Sequence, residues 1–224
     1  MFYGVSSVQE YQYNLDSEEI KDLKFSYFFI KRTMDIILAT IGLVCLFPVF
    51  IIVVIAIKIE TPGKVIFSQK RVGFKGKEFS MYKFRSMIND AEVIKAQLAD
   101  KNEMSGPMFK IKEDPRITKV GKFIRRTSID ELPQLINVLK GEMSLVGPRP
   151  NLPQEVEQFN RYQLQKLNAK PGLTCYWQVM GRSSLGFEEW MRLDVKYIEE
   201  RSTWVDIKLI IRTFTVLFGD ENAR

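Results

Sequence analysis

Residues 36–57 read IILATIGLVCLFPVFIIVVIAI, and the construction of this run decides what kind of protein to expect. It carries no charge over 22 residues, and Thr40 is its only clearly polar side chain. At about 1.5 Å per residue a straight helix of this length covers about 33 Å, enough for a hydrocarbon core of about 30 Å. Pro48, near the middle, removes a backbone hydrogen bond and crowds the carbonyl four residues back, so a kink is expected there. Each arm then reaches about half-way through a bilayer. Lys31 and Arg32 precede the run, and Lys58, Lys64, Lys70 and Arg71 follow it, so the positive-inside rule assigns no clean orientation. A re-entrant hairpin that returns to its starting face fits both the proline and the charges; a kinked span stays open. A cleaved signal peptide is not expected, because several acids precede the run and no small-residue cleavage pattern follows it.

The chain around this segment has 224 residues, 46% hydrophobic and 27% charged, ordinary for a folded protein and too apolar for disorder. Its 33 Lys and Arg exceed its 27 Asp and Glu, giving a formal charge of +6 and pointing to an anionic partner: phosphate, nucleic acid or lipid. Histidine is absent from the sequence, which excludes Ser-His-Asp and Cys-His catalysis and zinc sites of the histidine type. Cys45 and Cys175 are too few and too far apart for a Cys-rich metal site or a disulfide framework, so the chain reads as intracellular. Neither usual Gly-rich phosphate cradle occurs.

Three sections follow. Residues 1–30 hold two Lys against five Asp or Glu and read as a surface-lying or poorly ordered tail. Residues 31–60 contain the membrane helix. Residues 61–224 read as a mixed, helix-rich α/β catalytic domain, with extended pieces at 65–69, 79–84 and 143–146. Helices are expected at 89–98, at 128–140 stopped by Gly141, at 154–167, and at 187–200 and 204–218, which close the chain. In the last, Trp204, Ile207, Ile210, Ile211 and Phe214 form a stripe that reads as core, with Lys208 and Arg212 beside it keeping an amphipathic interfacial position open.

Between Pro62 and Pro150 stand 18 Lys or Arg against 10 Asp or Glu, so positive charge concentrates beside the membrane run. Attraction to anionic lipid accounts for that total but not for the pattern Arg125-Arg126-Thr127-Ser128-Ile129-Asp130-Glu131-Leu132-Pro133. Ser128 with Glu131 spells a capping box, the plainest reading, and it leaves Asp130 unexplained. Adjacent carboxylates suit a shared Mg²⁺, or one nucleophile with one metal-orienting partner.

Several motifs occur in order: Lys31-Arg32, Gln69-Lys70-Arg71-Val72-Gly73, Lys83-Phe84-Arg85-Ser86-Met87, Asp130-Glu131-Leu132-Pro133-Gln134, Met143-Ser144-Leu145-Val146-Gly147-Pro148-Arg149-Pro150 and Pro171-Gly172-Leu173-Thr174. With the interrupted apolar run, they make the chain resemble the bacterial sugar transferases, small monotopic phosphoglycosyl transferases, from about Lys31 to the C-terminus. The resemblance implies transfer of a sugar 1-phosphate from a UDP-sugar to polyprenyl (undecaprenyl) phosphate, with Mg²⁺ and release of UMP. It also implies a place on the cytoplasmic face of the bacterial inner membrane, in contact with the lipid bilayer and upstream of further glycosyltransferases. Whether the chain forms a homodimer, and which of galactose, glucose and their N-acetyl relatives it carries, stay open. Asp130 would be the nucleophile that holds the phosphosugar, and Glu131 would assist at metal and phosphate.

Arg125 and Arg149 are the expected phosphate clamps, because guanidinium forks grip phosphate bidentately. Lys31 and Arg32 would meet the lipid phosphate or simply anchor at the interface. Lys83 and Arg85 straddle Phe84 on an apparent strand and would face nucleotide or phosphate together, or solvent. Gln178 is a weaker candidate for sugar or uracil, and Trp177 beside it reads as core. Phe47 stands where the family often has Ser, and Cys175 where it usually has Gly; these leave the hairpin geometry and the sugar pocket in question. A catalytically inactive membrane scaffold is the alternative, which the intact acidic pair with Arg125 and Arg149 disfavours. A nucleic-acid binder is not expected, since no matching motif appears.

Overall fold

The computed structural model describes residues 23–219 apart from 99, 101, 104, 105, 108, 110, 112 and 182–184. Helix α1 (Phe25–Cys45) is followed across Leu46 by α2 (Phe47–Glu60), and the pair is bent by 59°. The helix therefore begins inside the segment expected as a 1–30 tail; residues 1–22 lie outside the described residues. The break falls at Leu46, and Pro48 lies in the first turn of α2 rather than in the interior of one kinked helix. First-turn N–H groups have no intrahelical partner, so proline is tolerated there. Leu46 N–H still reaches the Gly42 carbonyl at 2.9 Å and Phe50 N–H the Leu46 carbonyl at 3.0 Å, so the bend forms without a hydroxyl at residue 47. Among the described residues no single helix is long and apolar enough to cross a membrane; the bent pair passes that test only together.

Both arms pack on the same body. Ala39 of α1 lies among Met81, Leu135 and Val138, and Val53 and Ile57 of α2 lie against Phe84 and Ile124. Their outer faces, with Ile41, Val44, Phe47, Ile52 and Ile55, remain exposed.

Strands β1 (Ile66–Val72) and β2 (Glu78–Phe84) form an antiparallel hairpin in which Phe67 opposes Lys83. Helices α3 (Ala91–Gln97), α4 (Lys119–Arg126) and α5 (Gln134–Lys140) follow, and Gly141 closes α5 in the left-handed region at φ 79°. Strands β3 (Ser144–Val146) and β4 (Gly172–Thr174) pair in parallel. Their ends approach so closely that a Cβ on Gly147 would strike the Lys170 carbonyl and one on Gly172 the Gly147 nitrogen. The Gly-Pro-Arg-Pro and Pro-Gly turns are thereby stacked.

The helix expected over 154–167 is broken into α6 (Pro153–Val156) and α7 (Arg161–Leu164). Asn160 restarts it: its side chain accepts from Gln163 N–H at 3.0 Å, and the Gln163 side chain accepts from Asn160 N–H at 3.0 Å. Helices α8 (Tyr176–Met180), α9 (Phe187–Glu200) and α10 (Thr203–Gly219) complete the body. The α10 stripe is only in part the core face expected: Ile210 packs on the core beside buried Leu209 and Asp206, while Trp204, Ile211 and Phe214 are exposed. The inward face is set by a polar group, because Asp206 is drawn to Lys31, Tyr27 and Tyr197. Cys175 is fully buried beside Val146 and Tyr197, so the core absorbs the side chain that stands where glycine was expected.

Candidate active site

Helix α4 stops at Thr127, Ser128 turns into the left-handed region at φ 56°, and Ile129–Glu131 make one 3₁₀ turn before Pro133 leads into α5. The capping box spelled by Ser128 and Glu131 does not form; no side-chain cap bond is made at Ser128. Glu131 Oε1 instead accepts from Lys83 Nζ at 2.7 Å and from an Arg149 Nη at 2.9 Å. Three separate elements thus meet at one carboxylate: the end of β2, the 3₁₀ turn before α5, and the loop after β3.

Asn137 holds the first two together. Its side chain accepts from Tyr82 N–H at 3.0 Å and donates to the Ser80 carbonyl at 2.8 Å, satisfying the free edge of β2 with an amide from α5. Asn137 is fully buried. The sequence reading missed it; the available signal was an amide in the middle of the apolar helix Gln134-Leu135-Ile136-Asn137-Val138-Leu139. Arg149 also lies over the Trp177 ring at 5.5 Å, so Trp177, packed against the core as expected, also borders the site.

The two carboxylates differ sharply. Asp130 is 7% exposed, and among the described residues nothing donates a hydrogen bond to its side chain. Burial raises its pKa, the Glu131 charge adds to that, and Lys83, Arg125 and Arg149 oppose without cancelling. For Glu131 burial also pushes upward, but the charges and hydrogen bonds of Arg149 and Lys83 outweigh it and hold the group well below the usual carboxylate range. Lys83 is pushed down by burial despite Glu131. One acid is therefore a fixed anion, and its neighbour a more basic carboxyl to which no described residue donates. Arg125, exposed in the last turn of α4, acts on Asp130 through charge.

Other expected site residues are placed elsewhere. Arg85 donates to the Thr61 carbonyl at 2.7 Å, Thr61 Oγ1 at 2.8 Å and the Pro62 carbonyl at 2.7 Å, tying the end of α2 to the hairpin. The strand ends at Phe84, so the alternation that would aim Arg85 alongside Lys83 stops one residue short. Lys31 is ion-paired to the fully buried Asp206 at 2.8 Å and donates to the Val146 carbonyl at 2.9 Å. Arg32 donates to the last carbonyls of α5, Val138 at 2.6 Å and Leu139 at 2.7 Å. Gln178 reaches the Leu173 carbonyl at 3.4 Å, one residue from Trp177. Asp130, Glu131, Lys83 and Arg149 are brought together; Lys31, Arg32 and Arg85 hold the frame.

Among the described residues no group of three acidic or cysteine side chains could cage a metal. Mg²⁺ is commonly held by one or two carboxylates plus substrate phosphate oxygens and water, and the Asp130–Glu131 pair matches that donor set.

The family model for bacterial sugar transferases matches residues 26–220. Galactosyl transferase CpsE of Streptococcus agalactiae is 49% identical over 99% of this chain and 49% of that protein. UDP-glucose:undecaprenyl-phosphate glucose-1-phosphate transferase of Escherichia coli is 42% identical over 82% of this chain and 39% of that protein. The exopolysaccharide production protein ExoY of Rhizobium meliloti is 33% identical over 82% of this chain and 83% of its own length. The chain thus spans half or less of the larger relatives and most of the smaller one. A match that runs through both helices, the acidic pair and the Arg149 loop leaves one assignment: the chain belongs to the bacterial sugar transferase family.

Proposed function

We propose that the chain moves a sugar 1-phosphate from a UDP-sugar to a polyprenyl phosphate, releasing UMP, by way of a phosphosugar carried on Asp130. The observation that supports this most is the division of labour between neighbouring acids. Asp130 is buried and raised in basicity, with nothing bonded to its carboxylate among the described residues, while Glu131 is clamped by Lys83 and Arg149. A Asp130 carboxylate oxygen attacks the β-phosphorus, the bond from that phosphorus to the bridging oxygen breaks, and UMP departs with the electron pair. A polyprenyl phosphate oxygen then attacks the same phosphorus, the aspartyl oxygen leaves, and the free carboxylate returns with a lipid diphosphosugar. Both steps spread negative charge over phosphoryl oxygens, for which Arg149, Arg125 and Lys83 are cations already in place. Asp130 and Glu131 would hold Mg²⁺, which would supply further neutralisation of phosphate charge.

The bent pair suits a re-entrant seat in one leaflet. Ala39 of α1 and Val53 and Ile57 of α2 bury into the same body, so both arms are held on one side. In this reading the site faces the cytoplasm, where UDP-sugars are made, and the product passes to glycosyltransferases that extend it. The test uses detergent-purified protein with Mg²⁺, undecaprenyl phosphate and UDP-galactose, UDP-glucose and their N-acetyl relatives, scored separately for UMP and UDP. UMP from one donor is expected. UDP would mean ordinary glycosyl transfer and remove the covalent phosphosugar; neither product from folded protein would favour an inactive scaffold.

A further inference from the structure

Arg149 sits on a loop and is only partly enclosed, its side chain 26% exposed, yet its value as a clamp depends on being held before substrate arrives. Two physical routes run from it into the core. Along the chain, Asn151 follows two residues later; it is 2% exposed, and its Oδ1 accepts from Lys166 Nζ at 2.6 Å. Its Nδ2 donates to Glu155 Oε2 at 3.0 Å, and Val72 N–H donates to its carbonyl at 2.9 Å. Through the rings, Arg149 lies over Trp177, Trp177 packs on Trp190 with centroids 4.8 Å apart, and Lys166 Nζ lies 5.2 Å from the Trp190 centroid. Both routes end on Lys166, whose ammonium is paired at 2.6 Å with the fully buried Asp194.

A buried ion pair of this kind is a poor stabiliser. Removing two charges from water costs about as much as their attraction returns, and well-packed apolar residues of similar volume often do as well or better. What the charged pair supplies and an apolar pair cannot is a directed donor for Asn151 and a cation against the Trp190 ring. We infer that Lys166, held by Asp194, is a positioning residue for Arg149: it fixes the Pro148-Arg149-Pro150-Asn151 loop from below and the Trp177 platform from the side. It touches neither substrate nor reacting atoms. The catalytic consequence of this inference rests on the proposed function; the positional one does not.

The experiment joins a chemical probe of Arg149 with a double-mutant cycle. In the full-length protein in detergent, Lys166→Met with Asp194→Leu keeps volume and leaves no unpaired buried charge, and Asn151→Ala cuts the loop route while leaving the ion pair intact. Phenylglyoxal modification of Arg149, followed by peptide mass spectrometry, reports its freedom without any need for turnover. Modification is expected to quicken several-fold in both variants, and Lys166→Arg, which keeps a cation there, to restore part of the protection. In the cycle, the Lys166/Asp194 change should lower kcat about tenfold alone and much less in an Arg149→Lys background, because contacts acting through one group are not additive. Wild-type reactivity of Arg149 in both variants would overturn the inference, as would full additivity with Arg149→Lys. If the wild-type protein released no UMP, the proposed function would fall while the modification rates still decided the position of Arg149.

Discussion

Lys31, expected from sequence either at a lipid phosphate or as an interfacial anchor, provides the sharpest test of a role that the fold adds. In the fold its ammonium lies 2.8 Å from Asp206, whose side chain is completely enclosed. Lys31→Met leaves that carboxylate with two hydroxyl donors, Tyr197 at 2.7 Å and Tyr27 at 3.1 Å, and no ion-paired cation, Arg201 acting on it only through longer-range charge. Breaking a buried pair from one side costs about 3–5 kcal/mol, and the two remaining hydrogen bonds place this case near 3 kcal/mol. In a chain of this size each kcal/mol shifts the midpoint by about 2–4 °C, so Tm should fall by about 6–12 °C. The double change Lys31→Met with Asp206→Asn removes the lone charge and keeps one oxygen to accept from a tyrosine hydroxyl, while the amide NH₂ that replaces the other oxygen can donate to the second hydroxyl's oxygen, and most of the loss should return. Thermal unfolding of the three proteins in one detergent, with undecaprenyl phosphate binding measured in parallel, separates the two roles. An unchanged Tm in Lys31→Met together with weakened lipid binding would refute the structural assignment and restore the headgroup role.

The remaining predictions concern the site and its supports. Asp130→Asn should lower UMP release by about 10³-fold or more, with the protein still folded. Because the folded pKa of Asp130 lies above the ordinary value near 3.9, its contribution to stability is complete below that value and is lost as pH rises through the folded pKa. Asp130→Asn should therefore raise Tm at neutral pH and leave it nearly unchanged in acid; a neutral-pH Tm below wild type would contradict the burial argument. For Glu131 the sign is opposite: its depressed pKa contributes stability above the ordinary carboxylate value, lost as pH falls through the folded pKa, so Glu131→Gln should destabilise at neutral pH. Ser128→Gly should gain about 0.5–1 kcal/mol by relieving a left-handed φ of 56°, whereas a working cap would lose stability on the same change. Glu60 accepts from Lys119 N–H at 2.7 Å and Val120 N–H at 3.1 Å, so Glu60→Gln should cost about 0.5–1 kcal/mol in urea unfolding by weakening the start of α4.

Composition, the apolar run, the two closing helices and the acidic pair were all legible from the chain itself. Each depends on neighbours in sequence: a charge-free run is apolar whatever surrounds it, and a 3.6-residue period marks a helix before its partner is known. Gly141 closing α5 and the breaking effect of the proline segment are likewise local. What local reading missed was the use of each polar group. Ser128 and Glu131 have capping-box spacing, but Lys83 and Arg149, 48 and 18 residues away, draw Glu131 out of it. Lys31, Arg32 and Arg85 look like free cations in sequence, yet carbonyls and a carboxylate from distant elements claim them.

The sequence by itself determined that this chain carries an interrupted apolar element beside a basic domain with adjacent acids, because those properties are written in residue type and spacing. Only the tertiary structure decided which cations meet those acids, which merely hold the frame, and which acid is left basic and unshared. The physical reason is that a charge is assigned by its nearest partners in space. In this fold the deciding partners, Asn137 to β2, Lys83 and Arg149 to Glu131, and Lys166 to Asp194, all come from separate elements brought together by packing.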